Sequence, residues 1–208
     1  MTRRARLISA FASLALLGAC SSTPATRLYV LAPVAQTPLP RVQAARNRAA
    51  APVALVITDV RLPQYLDRSQ IVTRSDGHRL QMFEHEQWGG NLREDMTRIL
   101  AENLAQLLES DRVIAAPHNL RLTPDYRLEV EVHCFEREAG GGVRLSARWW
   151  LTRGSDAALL ASPEASFSGA PLGEKSSYEA LVGSMSAVYG ELAQAIGRSI
   201  RASEAGGA

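Results

Sequence analysis

The sequence predicts an α+β domain: an antiparallel-rich sheet packed with two amphipathic helices. Three observations lead there. Asp125–Cys134 and Val143–Leu151 alternate apolar and polar residues on either side of Ala139-Gly140-Gly141-Gly142, which is the pattern of a hairpin with one buried and one wet face. Two stretches, 91–109 and 176–201, repeat apolar residues at helical spacing. Each opens on a capping-box pattern, Asn91 with Glu94 and Ser176 with Glu179. The chain from Cys20 to Ala208 has the length of one ordinary domain.

Residues 1–19 stand outside that domain. Arg3, Arg4 and Arg6 precede an apolar run from Leu7 to Leu17, about eleven residues where a membrane-spanning helix needs roughly twenty. A basic start, a short apolar middle and small residues at the end are the parts of a secretory signal peptide. Its last residues, Leu17-Gly18-Ala19-Cys20, resemble the lipobox of bacterial lipoproteins. The resemblance implies cleavage before Cys20, a diacylglycerol on its sulfur and a second acylation at the new amine. Several acyl chains anchor stably where one binds only marginally. Ser21 is similar to the residue that sends enteric lipoproteins to the outer membrane, so the expected location is that membrane's periplasmic face.

Removing the three arginines leaves 20 basic residues against 21 acidic ones and turns the net charge from +2 to about −1. No basic patch argues for nucleic acid. With Cys20 acylated, Cys134 has no partner for a disulfide and reads as a small buried hydrophobe of its strand.

Residues 20–26 are the acylated cysteine and a short polar tether, and the folded domain spans 27–201. It begins with a strand at Arg27–Leu31. Residues 32–52 carry Pro33, Pro38, Pro40 and Pro52 and read as a loop, whose Arg41, Arg46 and Arg48 are solvated or touch lipid head groups. Val53–Val60 is a buried strand. Pro63 then breaks the chain into a turn carrying Tyr65 and Leu66, and Gln70–Arg74 resumes as a strand. Asp76-Gly77 turns it into a returning strand at Arg79–Phe83, and a second loop, Glu84–Gly90, contains Trp88. The first helix follows, with Leu92, Met96, Ile99, Leu100, Asn103, Leu104, Leu107 and Leu108 on one face. A short strand covers 112–116. After the central hairpin, 157–168 is a third strand interrupted at Pro163. The second helix ends near Arg201, and 202–208 is a small-residue tail expected to fray.

Patterns of chemistry are sparse. His78, His85, His118 and His133 lie far apart with no metal-ligating spacing, and Glu84-His85-Glu86, able at most to bind a metal weakly, reads as a solvated loop. There is no nucleophile elbow. Gly140-Gly141-Gly142 lies between strands and opens no helix for a phosphate. No catalytic residue, metal or cofactor is expected beyond the lipid on Cys20.

A longer pattern does stand out. It runs Leu62-Pro63-x-Tyr65-Leu66-Asp67-Arg68-x-Gln70-Ile71-Val72-x-Arg74, then Trp88, then Arg98-x-Leu100-x-x-Asn103-Leu104 on the capped helix. Together with Leu28–Leu31, Asp125-x-Arg127-x-x-Val130-x-Val132-x-x-Phe135 and Val143–Leu151, it resembles the PqiC/YmbA family of auxiliary lipoproteins. Gly89-Gly90 after Trp88 departs from that pattern. The resemblance implies a non-enzymatic role in ABC-type and MCE-type systems that move lipid between membranes. The expected partner is an MCE-domain protein whose periplasmic conduit this chain docks. Tyr65, Leu66 and Trp88 are then either contacts in loops or plugs at the ends of the core. On the second helix, Gly183, Ala187, Gly190, Gln194 and Gly197 form a smooth, nearly uncharged face opposite the apolar stripe. That face suits self-association into a homo-oligomer or contact with the conduit. A peptidoglycan-binding structural lipoprotein and a lipid-anchored enzyme remain as alternatives.

Overall fold

A computed structural model describes residues 24–40, 52–116, 123–173 and 176–206; Cys20, Ser21, Arg41, Arg46, Arg48 and His118 lie outside them. Nine strands and two helices are present among these residues, in the order β1 (Arg27–Tyr29), β2 (Leu55–Arg61), β3 (Gln70–Arg74), β4 (Leu80–Trp88), α1 (Leu92–Leu108), β5 (Val113–Ala115), β6 (Tyr126–Arg137), β7 (Val143–Arg153), β8 (Leu159–Ala161), β9 (Glu164–Ser168) and α2 (Tyr178–Gly206).

The sheet is built around β6. Along one edge β6 pairs antiparallel with β7 from Tyr126↔Arg153 to Arg137↔Val143. β2 runs parallel beside its first half and β3 meets its far end at Thr73↔Arg137. Outside β2 lies β5, while β3 carries β4 and then β1; β8 and β9 share the free edge of β7. The α+β expectation holds, with a sheet that is mixed and only partly antiparallel. β1–β4, β2–β5, β2–β6 and β3–β6 are parallel, against antiparallel β3–β4, β6–β7, β7–β8 and β7–β9. Apolar alternation reports which face a side chain takes, not the direction of the neighbouring strand.

Both helices contribute to a single core with one face of this sheet, burying Met96, Ile99, Leu100 and Leu104 from α1 and Met185, Tyr189, Leu192 and Ile196 from α2. Surface ion pairs such as Arg61–Glu129 and Arg148–Glu164 join neighbouring strands. Asn91 caps α1 by accepting from the Glu94 amide at 3.2 Å. At the second helix the cap is Ser177 rather than Ser176, its Oγ accepting from the Ala180 amide at 3.2 Å.

Element boundaries and regularity differ in places from the sequence expectation. β4 continues to Trp88, so Glu84-His85-Glu86 lies on a strand. A bulge between Val132 and Cys134 inserts one residue into β6, which turns Phe135 inward and leaves Cys134 only half-buried. α2 runs on to Gly206, because Arg201 is buried and donates to the Leu108 carbonyl at 3.2 Å. That contact supplies a cation to the C-terminal end of α1.

The segment expected to be a loop after β1 is a strap along the seam of the two helices. Leu31, Val34 and Gln36 donate their amides to Asp95, Asn103 and Gln106 of α1 at 2.8, 3.1 and 3.3 Å. Ala32 donates to Ser186 Oγ of α2 at 3.1 Å, and Gln194 donates to Gln36 at 3.0 Å. Leu39 closes the strap on the Leu107 carbonyl at 2.9 Å.

Candidate functional site

The side chains singled out by sequence fall into three places. Leu66 and Trp88 are core residues, 2% and 6% exposed, and the Trp88 amide donates to the Ser69 carbonyl at 2.7 Å. The 63–69 turn and the end of β4 are thereby held together as a plug. Tyr65 is half-buried beside them and its hydroxyl points inward to Glu136 Oε2 at 2.6 Å.

The second place is the small-residue face of α2. Gly183 and Ala187 are exposed, and nothing lies within 4 Å of a Cβ built on Gly183. Gly190 and Gly197 are buried. A side chain on Gly190 would collide with Val34, and one on Gly197 would come within 2.8 Å of Leu39 Cδ1. The expectation of an open face at Gly190 is thus corrected: the strap covers it, and glycine there lets the chain approach the helix backbone. Among the described residues, only the Gly183–Ala187 turn of that face is open.

Two buried carboxylates form the third place: Glu136, absent from the sequence expectations, and Glu86, whose burial corrects the solvated reading of Glu84-His85-Glu86. Glu136, 2% exposed, accepts from Tyr65, from Arg74 Nη2 at 2.6 Å and Nε at 2.9 Å, and from the Phe135 amide at 3.1 Å. Glu86, 5% exposed, accepts from the Tyr29 hydroxyl at 2.7 Å and pairs with Arg27. Burial and then the bond to Glu86 push the Tyr29 phenol up to about 12, and burial followed by Glu136 raises that of Tyr65. Each carboxylate has its hydrogen bonds made within the protein, and these clusters weld β1 to β4 and the 63–66 turn to β6. Burial raises the Cys134 thiol as well. Among the described residues no group of three or more His, Cys, Asp or Glu side chains is placed to hold a metal ion.

Sequence reasoning missed an apolar surface at one edge of the sheet. Leu28, Val30, Met82 and Phe83 are 64%, 60%, 43% and 50% exposed. Phe83 stands edge-on to Tyr178 at the start of α2, with ring centroids 6.2 Å apart, and Tyr178 lies 5.9 Å from Tyr29. A cleft of about 400 Å³ beside them is lined by Pro24, Ala25, Arg27, Phe83, Glu84, His85 and Glu86. The signal available in the sequence was that Leu28–Leu31 is apolar on both faces; that β1 ends the sheet was not visible. No helix among the described residues is long and apolar enough to cross a membrane.

Similar folds occur in solved structures. A crystal structure of an uncharacterized protein matches with a TM-score of 0.67 at 18% identity, over 85% of this chain and 99% of that one. Protein XCC0632 from Xanthomonas campestris matches with a TM-score of 0.66 at 15% identity, over 88% of this chain and all of the other. At such identities the likeness concerns the fold alone. No curated protein matches the chain in sequence. The family model described as "ABC-type transport auxiliary lipoprotein component" matches residues 29–197, from the last residue of β1 deep into α2. The chain belongs to the family of ABC-type transport auxiliary lipoprotein components.

Proposed function

We propose that this chain is a non-catalytic auxiliary component of an ABC/MCE-type lipid transport system, anchored through Cys20 to the periplasmic face of the outer membrane, where it docks the periplasmic conduit. The observation that carries the reading is the family match over 29–197, directly preceded by a lipobox-like Leu17–Cys20 and a short tether. A tether of this kind holds the docking domain at high local concentration beside its membrane. The buried carboxylates support a role without catalysis, since their acceptor sites are taken up by Tyr and Arg partners from the same chain.

Docking is assigned to the open turn of α2 at Gly183 and Ala187, to a second copy or to the conduit. The test is capture from cross-linked membranes of the native host. Wild-type chain is expected to recover an MCE-domain protein, and a Gly183→Glu, Ala187→Glu double variant to recover much less while unfolding at the same denaturant concentration. Wild-type capture without any MCE-domain protein would refute the assignment.

A further inference from the structure

Four of the five strongly exposed large hydrophobic side chains among the described residues lie on or next to β1 and β4; the fifth, Leu159, is elsewhere. Such side chains scattered singly are ordinary, whereas a group of them marks a contact surface. Strand direction says toward which end of the molecule Met82 and Phe83 lie. β1 runs parallel to the last residues of β4, Arg27↔Glu86 to Tyr29↔Trp88, which sets Leu28 and Val30 further along, beside Gln87 and Gly89. The chain therefore approaches β1 from the end where β4 starts and the Asp76-Gly77 turn lies. β3 finishes at that same end, beside the last residue of β6 at Thr73↔Arg137. Leu159 pairs with Thr152, which pairs with Arg127 at the start of β6, and so sits at the opposite end.

The length of chain ahead of β1 identifies the occupant. Pro24 and Ala25 pass beside Phe83 in the same cleft. Cys20 is four residues before Pro24, so an acylated sulfur is held within roughly 14 Å of contour from Pro24. A bilayer at that distance is the nearest large apolar phase available to Phe83 and Met82. Arg27 and Arg79 lie toward the same end, with 64% and 72% of their side chains exposed although paired with Glu86 and Asp76, and exposed guanidinium groups of this kind reach lipid phosphates.

We propose that the β1–β4 edge faces the lipid: Phe83 and Met82 enter the interfacial zone of the bilayer that holds the Cys20 anchor, with Leu28 and Val30 flanking them. The domain then stands on its membrane in one orientation, with the Leu159 end and its β7–β8 edge turned toward the periplasm. This rests on the acylation of Cys20 proposed above.

The test uses mature, lipidated chain purified from its host in a Cys134→Ser background. The protein is reconstituted in vesicles of phosphatidylethanolamine and phosphatidylglycerol, with a nitroxide at Phe83→Cys, Met82→Cys or Leu159→Cys in separate samples. The ratio of collisions with oxygen to collisions with an aqueous nickel complex is expected to be severalfold higher at 82 and 83 than at 159. An equal ratio, with Cys20 shown to be acylated by mass spectrometry, overturns the inference, because the edge then faces water. Exclusion of both reagents at 82 and 83 also overturns it, because protein then covers the edge as a second copy or a conduit. An unmodified Cys20 sinks the anchor and this inference together. Lipid contact at 83 without any MCE-domain protein in the capture experiment refutes only the docking assignment.

Discussion

Glu136 shows how much of this protein depends on single side chains. Its carboxylate is 2% exposed and accepts four hydrogen bonds, three from Tyr65 and Arg74 and one from the Phe135 amide. Removing the acceptor leaves the partly buried Arg74 guanidinium with only the Gly77 carbonyl, and the inward-pointing Tyr65 phenol without a partner. Glu136→Ala is therefore expected to destabilise the fold by about 3 kcal/mol, read from the midpoint of chemical unfolding. A loss below about 0.5 kcal/mol would mean that water replaces the carboxylate without difficulty. Tyr65 and Arg74 were legible in the sequence as parts of one motif, but Glu136 was not. It follows the bulge at His133, where the two-residue period of β6 slips, so extrapolating the alternation past Val132 assigns every later side chain to the wrong face.

Among the elements, the strap and α2 depend on each other. Gly190 sits where Val34 crosses the helix, and Asn103, Gln106, Ser186 and Gln194 hold the strap from both sides. Gly190→Leu must push the strap off the seam, at an expected cost of about 2 kcal/mol or more. Gly183→Ala, on the open turn of the same helix, is expected to stabilise by about 0.5–1 kcal/mol by restricting the unfolded chain. Thermal unfolding of the two variants in parallel checks both signs, and a Gly190→Leu variant as stable as wild type would remove the strap from the account. The helices themselves were legible because each carries its own cap and stripe. What covers the far side of α2 was not, since residues 32–39 carry two prolines and no helical or strand period, and nothing in them names a partner more than 150 residues away.

For the whole molecule, the titration of tyrosine gives a measurable consequence of one shared core. All five phenols, Tyr29, Tyr65, Tyr126, Tyr178 and Tyr189, are raised above their ordinary value of 10, chiefly by burial. Above that pH the unfolded chain releases protons that the folded chain keeps. Stability is therefore complete below pH 10 and falls as the pH rises toward the folded value, about 12 for Tyr29. Tyr29 and Tyr189, the two most buried, should each remove about 1 kcal/mol by about pH 11. Denaturant midpoints between about pH 9 and pH 11 test this, and Tyr29→Phe should flatten the slope. A flat profile in the wild type would show that the phenols reach water in the folded state.

The two helices among the described residues, the Asn91 cap and most strands could be read from the chain because they are local. Backbone geometry repeats every 2 or 3.6 residues, and the side chains report that period wherever one face meets water. Strand direction, the order β1-β4-β3-β6-β2-β5, the strap over Gly190 and the placing of Leu28, Val30, Met82 and Phe83 along one edge were decided by the tertiary structure. Each joins residues distant in sequence, and the free energy that selects among such pairings comes from packing the whole core, which no single stretch of the chain carries.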